Sequence, residues 1–386
     1  MREGGLWFRS APDVVEPERW ESKRHSGGSM TWDFIRQEAK LGRSRAVGLC
    51  LTVAAALLVV ACSGPALPAL PGLRSSEAIT PTTAQSVVRD YWKTNELASM
   101  HRDPRLFART ETGLLLETDQ ASIKVDQALR TPRLTSPRPL RRVIPYVPRQ
   151  SGFPQEFVAL IDTVQIDETG HPNDAPSKFY LHFTRPSAGE DWKADFYAQV
   201  KARTFNFALD SAGYATSLPA GASRFVLRPD GLAPALATYQ RTGVVSGTPT
   251  GPFAPGPMTS YSVNLQRAHH DQMTMLGYNE ATDFQALPYL HAYRAVDGSA
   301  IVLFALRPSD TVTLPDPSIC IIQPASLRQW GALVPAGNYA SVTIDNLLEY
   351  MATNPVARPG AQVEVIGIGD DQVAARTVPS PLSGCR

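Results

Sequence analysis

The sequence is poor in cysteine and carries almost no net charge. Its 386 residues include only four cysteines, which excludes a small scaffold held together by many disulfides. The 37 basic and 36 acidic residues give a net charge of +1, so the chain has no overall field that would attract nucleic acid. We therefore expect no nucleic-acid partner. The hydrophobic content of 43% instead predicts a sizeable folded core.

Motifs of serine acyl-transfer enzymes are also missing. The sequence has no Gly-x-Ser-x-Gly turn and no Ser-x-x-Lys motif. Residues 262–264 (SVN) and 241–243 (RTG) are similar to two elements of penicillin-binding active sites. They stand in inverted order and without the serine-lysine motif, so we attribute them to chance. The sequence argues against serine acyl chemistry.

One apolar run predicts where the protein is located. Residues 46–61 (AVGLCLTVAAALLVVA) carry no charge and follow a basic segment that contains Lys40, Arg43 and Arg45. A basic segment before such a run is typical of a signal peptide. As a helix the run would span roughly 24 Å, less than a hydrocarbon core of roughly 30 Å. A permanent transmembrane anchor is therefore the weaker interpretation.

The end of this run, residues 59–64 (VVACSG), resembles the lipobox of bacterial lipoproteins. In that family the cysteine thiol receives a diacylglycerol and the chain is cut just before it. The resemblance implies that Cys62 is the lipidated N-terminus and ties the protein to the extracytoplasmic face of the cell membrane. The alternative is an uncleaved signal anchor with an incidental cysteine.

Residues 1–61 are accordingly assigned to the signal-peptide region. The segment before Met30 mixes charges of both signs, so we expect translation to begin at Met30 or the earlier residues to have no function. Residues 62–83 are rich in proline, serine and small residues, which favours an extended tether between the lipid and the folded part.

Two tandem α+β domains are predicted for the rest of the chain, over residues 84–229 and 230–386, each with helices packed on a curved antiparallel sheet. Helical spacing marks residues 84–97, 104–129 and the segment after Asp230-Gly231. Alternating apolar residues mark the predicted strands, at 157–166, 178–185, 192–200, 287–296, 300–307, 339–351, 362–369 and 373–378. Turns are expected at Asp297-Gly298 and at Asp370-Asp371. Residues 181–187 (LHFTRPS) and 303–309 (LFALRPS) suggest that the halves are distant copies.

This order of helices and strands resembles the cone-shaped fold of nuclear transport factor two and SnoaL-like domains. Together with Cys62, it makes the chain similar to the uncharacterised lipoproteins of high-GC Gram-positive bacteria. The resemblance implies a pocket that serves enzymes and binding proteins alike. Because no catalytic motif is present, we predict a non-catalytic binding or protein-interaction module whose partner is an envelope protein or an apolar small ligand. The alternatives are an acid-base enzyme acting on a small or lipid-like substrate, and a structural spacer without a deep pocket.

Several residues have side chains suited to a chemical site, but none has the spacing of a catalytic motif. His269, His270 and Asp271 have metal-ligand side chains, but adjacent residues point in different directions and no second cluster supports them. His182 and His291 lie in predicted strands. Each could act as a general base or be a structural histidine held by a hydrogen bond. Asp119 and Asp162 are carboxyl candidates with no diagnostic spacing. We therefore predict no metal and no cofactor.

Two further features concern arginine and cysteine. The arginines between 133 and 149 could contact anionic polymers or lipid headgroups, or form a solvated loop or strand edge. Cys320 and Cys385 remain after lipidation of Cys62, and exported thiol pairs tend to oxidise, so we predict a disulfide between them. The alternative is a buried free Cys320 and a loose terminal thiol.

Overall fold

A computed structural model describes residues 78–167, 169–200, 205–243, 251–316, 321–322 and 332–380. The predicted lipidation site Cys62 and the predicted disulfide partners Cys320 and Cys385 lie outside the described residues. Helices precede strands in each half of the chain. The α-helices are α1 (Pro81–His101), α2 (Pro104–Thr110), α3 (Gly113–Leu129), α4 (Leu232–Thr242) and α5 (Ser262–Met275). The strands are β1 (Arg142–Tyr146), β2 (Gln155–Ile166), β3 (Pro172–Arg185), β4 (Lys193–Val200), β5 (Asn279–Arg294), β6 (Ala300–Thr313), β7 (Ile321–Ile322), β8 (Asn338–Asn354) and β9 (Glu364–Pro379).

The first helix begins where a threonine can cap it. The Thr80 side chain accepts a hydrogen bond from the Thr83 amide, which satisfies one of the free N–H groups at the start of α1. The predicted helical stretch over residues 104–129 is divided into α2 and α3 by an extended Glu111. The amide of the next residue, Thr112, donates to the carbonyl of Ala194, so the break between the helices is tied to β4.

All strand pairs are antiparallel and belong to one curled sheet with the order β1-β2-β3-β4-β9-β8-β6-β5, while β7 pairs with β8. The strands of the two halves meet where β4 pairs with β9, through Gln199 opposite Ile368 and Val200 opposite Gly367. The predicted α+β class with an antiparallel sheet is confirmed. The division into two domains at residues 229 and 230 stays a prediction.

Both predicted turns can be compared with the structure. Asp297 and Gly298 lie between β5 and β6, as expected, and Gly298 has the positive φ of 83° that such a turn needs. The turn predicted at Asp370-Asp371 is wrong, because β9 runs through it. Asp370 lies opposite Leu348 and Asp371 opposite Leu347, so β8 supplies ladder partners along this stretch of β9.

The core is divided among the two faces of the curled sheet. Helix α1 packs on β2 and β3 through residues such as Val88, Phe157 and Phe183. Helix α4 packs on β6 and β8 around Phe304 and Tyr350. A third cluster joins the halves, with side chains that include Tyr180, Phe196, Tyr293 and Leu303. The curl therefore brings β5 of the second half onto β2–β4 of the first.

Candidate functional site

A cavity of about 310 Å³ lies between the helices and the sheet of the first half. Its size is at the lower end of the range for small-molecule pockets. The apolar and aromatic lining consists of Tyr91, Trp92, Leu115, Val164, Ile166, Phe179, Leu181 and Tyr197. The polar lining consists of Asn95, Ser99, Asp119, Arg138, Gln165, Ser177 and Gln199.

The local structure explains why these side chains converge. Along α1, Tyr91, Trp92 and Asn95 share the buried face because three- and four-residue spacing places side chains on one side of a helix. Along β3, Ser177 and Phe179 point to the cavity because alternate side chains face the same side of a strand. The cavity therefore has an aromatic wall and a polar group of residues on its helical side.

The chemically distinctive feature beside this cavity is a pair of carboxyl groups, Asp119 in the cavity lining and Glu111 outside it. Glu111 is completely buried, and its Oε1 accepts hydrogen bonds from Tyr91 Oη at 3.1 Å and Asn95 Nδ2 at 2.7 Å. Asn95 Nδ2 also lies 3.4 Å from Asp119 Oδ2. The side-chain amide of Asn95 thus bridges the two carboxyl groups. Glu111 lies in the break between α2 and α3, and Asp119 lies on the cavity wall.

Both carboxyl groups hold their protons more tightly than usual. Burial, followed by the charge of Asp119, raises the pKa of Glu111 well above its ordinary value. Burial also raises the pKa of Asp119 to about 6, although a hydrogen bond with Glu111 opposes the effect. Neighbouring carboxyls that share one site resist losing both protons. The pair therefore retains a proton at a pH where separate carboxyls have lost theirs, which suits it to proton transfer or to donating a hydrogen bond.

A largely buried ion pair between Arg138 and Glu96 supports the part of the cavity wall that Arg138 forms. Arg138 donates from Nε and Nη2 to Glu96 Oε1, at 2.9 and 2.6 Å, and Glu96 is 1% exposed. The guanidinium carbon lies 4.9 Å from the ring centre of Trp92 and 5.9 Å from that of Phe179. Arg138 is therefore fixed by Glu96 and by stacking, and it shapes the cavity more than it offers a free charge.

A second polar cluster lies in the core between the halves and contains both strand histidines singled out in the sequence. His182 Nδ1 is 2.6 Å from Asp195 Oδ1, and its Nε2 is 3.7 Å from Glu156 Oε2. His291 Nδ1 is 2.8 Å from the same oxygen of Glu156. The imidazole centres are 3.8 Å apart. Neither histidine lines the 310 Å³ cavity.

Two tyrosine hydroxyls donate hydrogen bonds to the carboxylates of this cluster, and two of its residues lie at register shifts in the strand pairing. Tyr289 Oη donates to Asp195 Oδ1 at 3.0 Å, and Tyr293 Oη donates to Glu156 Oε1 at 3.3 Å. Asp195 is the extra residue in the β3–β4 pairing, and Tyr289 lies in a register shift of the β5–β6 pairing. Bulges re-aim side chains and are frequent near functional sites.

The charges in this cluster are strongly coupled. Burial opposes a charge on His182, but Asp195 and then Glu156 outweigh it and raise the pKa of His182 to about 9. Burial and the charge of His182 lower the pKa of His291, against an opposing effect of Glu156. Burial would raise the pKa of Glu156, yet the two imidazoles hold it well below its usual range. The opposite shifts favour a positive charge on His182 over one on His291, and they favour the ionised form of Glu156.

The remaining candidates from the sequence have other surroundings. His269 Nδ1 lies 2.7 Å from Glu280 Oε1, while His270 is half-exposed and 3.9 Å from the other oxygen of Glu280. Asp162 on β2 forms an ion pair at 3.4 Å with Arg142, which lies on the edge strand β1. The other arginines of that segment with a carboxylate partner are Arg138 (Glu96), Arg141 (Asp174) and Arg149 (Asp210). Within the described part of the chain, no helix is long and apolar enough to cross a membrane.

Comparison with known proteins matches most of the chain to one family. Residues 75–377 match the family described as "Domain of unknown function (DUF8094)". The chain belongs to this family. The match spans every lining residue of the cavity and every member of the histidine cluster, so both are features of the DUF8094 region.

A curated relative of the chain is named as a lipoprotein. The chain is 25% identical over 272 residues to the "Uncharacterized lipoprotein SCO2278" of Streptomyces coelicolor. The aligned region covers 69% of this DUF8094 chain and 78% of the relative. No solved structure matches the chain.

Proposed function

We propose that this protein is a lipoprotein of the bacterial cell envelope, anchored on the extracytoplasmic face of the membrane by a diacylglycerol on Cys62, and that its cavity binds a small, partly apolar ligand. The lipobox-like residues 59–64 and the lipoprotein name of the Streptomyces relative support the anchor. The segment that ends at residue 61 acts as the signal peptide, and the residues between Cys62 and α1 hold the folded part away from the bilayer.

The observation that carries ligand binding is the mixed lining of the 310 Å³ cavity. Tyr91, Trp92 and Phe179 offer an aromatic surface, whereas Asn95 and Asp119 offer hydrogen bonds at one side. Apolar walls with a few polar groups are the usual composition of a small-molecule site. A cavity enclosed by helices on a curved sheet also supports the likeness to the nuclear transport factor two and SnoaL-like cone fold. A ligand with an apolar body and one hydrogen-bonding group fits this arrangement.

Ligand binding can be tested with a cavity-filling variant. Full-length wild type, Ser177→Leu and Ser211→Leu are purified from their own membranes in detergent and extracted with organic solvent for mass spectrometry. Ser177 lines the cavity and Ser211 lies in an exposed turn, so the same change is made in both places. We expect a compound enriched at least tenfold in wild type and Ser211→Leu over Ser177→Leu. Identical extracts from all three proteins would contradict the proposal.

A second candidate function, acid-base catalysis in the same cavity, rests on the Glu111 and Asp119 pair. Their contact and raised pKa values provide a proton donor and acceptor beside the cavity. Asp119→Asn preserves the shape of the side chain but removes its titration. If the protein is an enzyme, the compound extracted with Asp119→Asn should be a substrate that wild-type protein converts. If it is a binding protein, both proteins should retain the same compound.

A further inference from the structure

We propose that Glu156, His182 and His291 form a binding site for a divalent transition-metal ion such as Zn²⁺, in the core where the two halves meet. The site is separate from the cavity of the first half, so this inference does not depend on the proposed ligand. None of the three residues is near another in the sequence, since they come from β2, β3 and β5.

The donor atoms have the right chemistry and nearly the right spacing. Two imidazole nitrogens and one carboxylate oxygen all lie within 4.8 Å of one another. Glu156 Oε2 is 2.8 Å from His291 Nδ1 and 3.7 Å from His182 Nε2. Donors around a tetrahedral zinc ion with bonds of 2.0–2.1 Å are about 3.3 Å apart. The two distances to Glu156 bracket this value, and the two imidazole nitrogens lie within 4.8 Å of each other, so side-chain rotations that draw the imidazoles together would complete the ligand set.

The orientation of His182 is that of a prepared metal ligand. Its side chain is completely buried, and its Nε2 makes no hydrogen bond with the described residues. Its other nitrogen, Nδ1, faces Asp195 Oδ1 at 2.6 Å. In metal sites a carboxylate commonly receives the second N–H of a ligating histidine, which fixes the ring and leaves the other nitrogen for the metal.

The supporting residues form an organised outer layer. Asp195 is itself oriented by Tyr289 Oη, and Glu156 by Tyr293 Oη. The bulge at Asp195 explains how this carboxylate reaches His182 instead of following the regular ladder. An unpaired imidazole nitrogen buried at the centre of such a network is costly unless something binds it.

The site also has an entrance. The side chains of Glu156 and His291 retain 30% and 21% exposure, whereas His182 closes the inner side. Three protein ligands with one open side are typical of metal sites that keep a water or substrate in the fourth position. The geometry therefore favours a hydrated ion reached from solvent over a closed structural site.

Zinc binding to the full chain tests this assignment. The protein is purified in detergent, its thiols are alkylated so that cysteine cannot contribute, and bound metal is removed by chelation. Titration calorimetry with Zn²⁺ at pH 7.5 should then give one high-affinity site per chain. His291→Gln should lower the affinity at least 100-fold, and Asp195→Asn should lower it 10- to 100-fold as the loss of an outer partner does in known sites. His270→Gln, beside Glu280, is the matched control and should bind like wild type.

A second measurement does not depend on the folding of the variants. Zinc-edge X-ray absorption of the wild-type complex should show two imidazole ligands and oxygen ligands. The proposal is overturned if wild type has no site tighter than millimolar, if the bound zinc has no imidazole ligand, or if His291→Gln, with an unchanged unfolding midpoint, binds as tightly as wild type.

Discussion

Glu117 on α3 and Arg307 on β6 form a two-bonded ion pair, with Oε1 2.8 Å from Nη1 and Oε2 2.8 Å from Nη2. The partners are 190 residues apart in the sequence and belong to different halves of the chain. Hydrogen bonds with Glu117 raise the pKa of Arg307, so the guanidinium stays charged. This pair ties the helices of the first half to the sheet of the second.

Breaking this pair should destabilise the protein modestly. Two parallel charge-assisted bonds are favourable, but both side chains are partly exposed and solvent screens them. We expect Glu117→Gln and Arg307→Gln each to lower the free energy of unfolding by about 1 kcal/mol, with a double variant losing less than the sum. Urea unfolding of the full chain measures these values. Arg142→Gln, which breaks a longer pair with Asp162 that has one hydrogen bond, should cost less. An equal cost would contradict the expectation that the two-bonded geometry strengthens the Glu117–Arg307 pair.

The junction between the halves depends on a missing side chain at Gly369. A Cβ at this position would lie 2.5 Å from the Tyr197 carbonyl oxygen and 2.8 Å from the Tyr197 ring. Gly369→Ala should therefore push β9 from β4 and lower the free energy of unfolding by about 1–3 kcal/mol, as overpacking does elsewhere. Gly189→Ala is the control, since no atom lies within 4 Å of its new Cβ. A thermal unfolding midpoint of Gly369→Ala equal to that of the control would contradict this account.

The sequence predicts the elements of this fold better than the contacts between them. Strand alternation placed His182 and His291 on strands, and the Asp297-Gly298 turn marked the hairpin of β5 and β6. Those signals are local. The turn predicted at Asp370-Asp371 is wrong because consecutive aspartates are typical of turns, whereas here both residues pair with β8. Long-range pairing overrode local preference there.

The sites were harder to predict because they depend on curvature and irregular positions. Glu156, Asp195 and Tyr293 had no local signal, since they meet His182 and His291 only when β5 curls onto β2–β4. Glu111 partners Asp119 because it falls in the break between α2 and α3, where the sequence had predicted one continuous helical stretch.

Lipidation at Cys62 can be tested directly. Only a thiol at this position can form the thioether to diacylglycerol that the lipobox implies. Cells fed a fatty-acid probe should label wild type and Cys50→Ser but not Cys62→Ser, as judged by in-gel detection. Cys50 lies inside the apolar run and is the matched control. Label that persists in Cys62→Ser would refute the anchor.

The predicted disulfide joins Cys320, which precedes β7 in the sequence, to Cys385, which follows β9, and both cysteines lie outside the described residues. Ile321 of β7 and Pro379 of β9 both pair with Tyr339, on opposite sides of β8. We expect unreduced, denatured mature protein to have no alkylatable thiol and reduced protein to have two, by intact mass. Two thiols without reductant would rule out the bridge, which in the entropy account stabilises by roughly 4 kcal/mol.

The carboxyl of Asp119 should make stability depend on pH between about 4 and 7. Burial raises its pKa to about 6 in the folded protein, against about 3.9 in an unfolded chain. The folded state therefore binds the proton more tightly, and the resulting stability is fully present below about pH 4 and lost as the pH rises through about 6. Asp119→Asn stays neutral throughout. Its free energy of unfolding relative to wild type should rise by roughly 2 kcal/mol from pH 4 to pH 7.

Urea unfolding of the full chain at several pH values measures this difference. Gln120→Ala, on the same helix α3, removes no carboxyl and should shift the stability curve by a constant amount at every pH. Because Asp119 also contributes to the raised pKa of Glu111, Glu111→Gln should reproduce part of the effect. A constant offset between Asp119→Asn and wild type across the pH range would contradict the raised pKa of Asp119 in the folded protein.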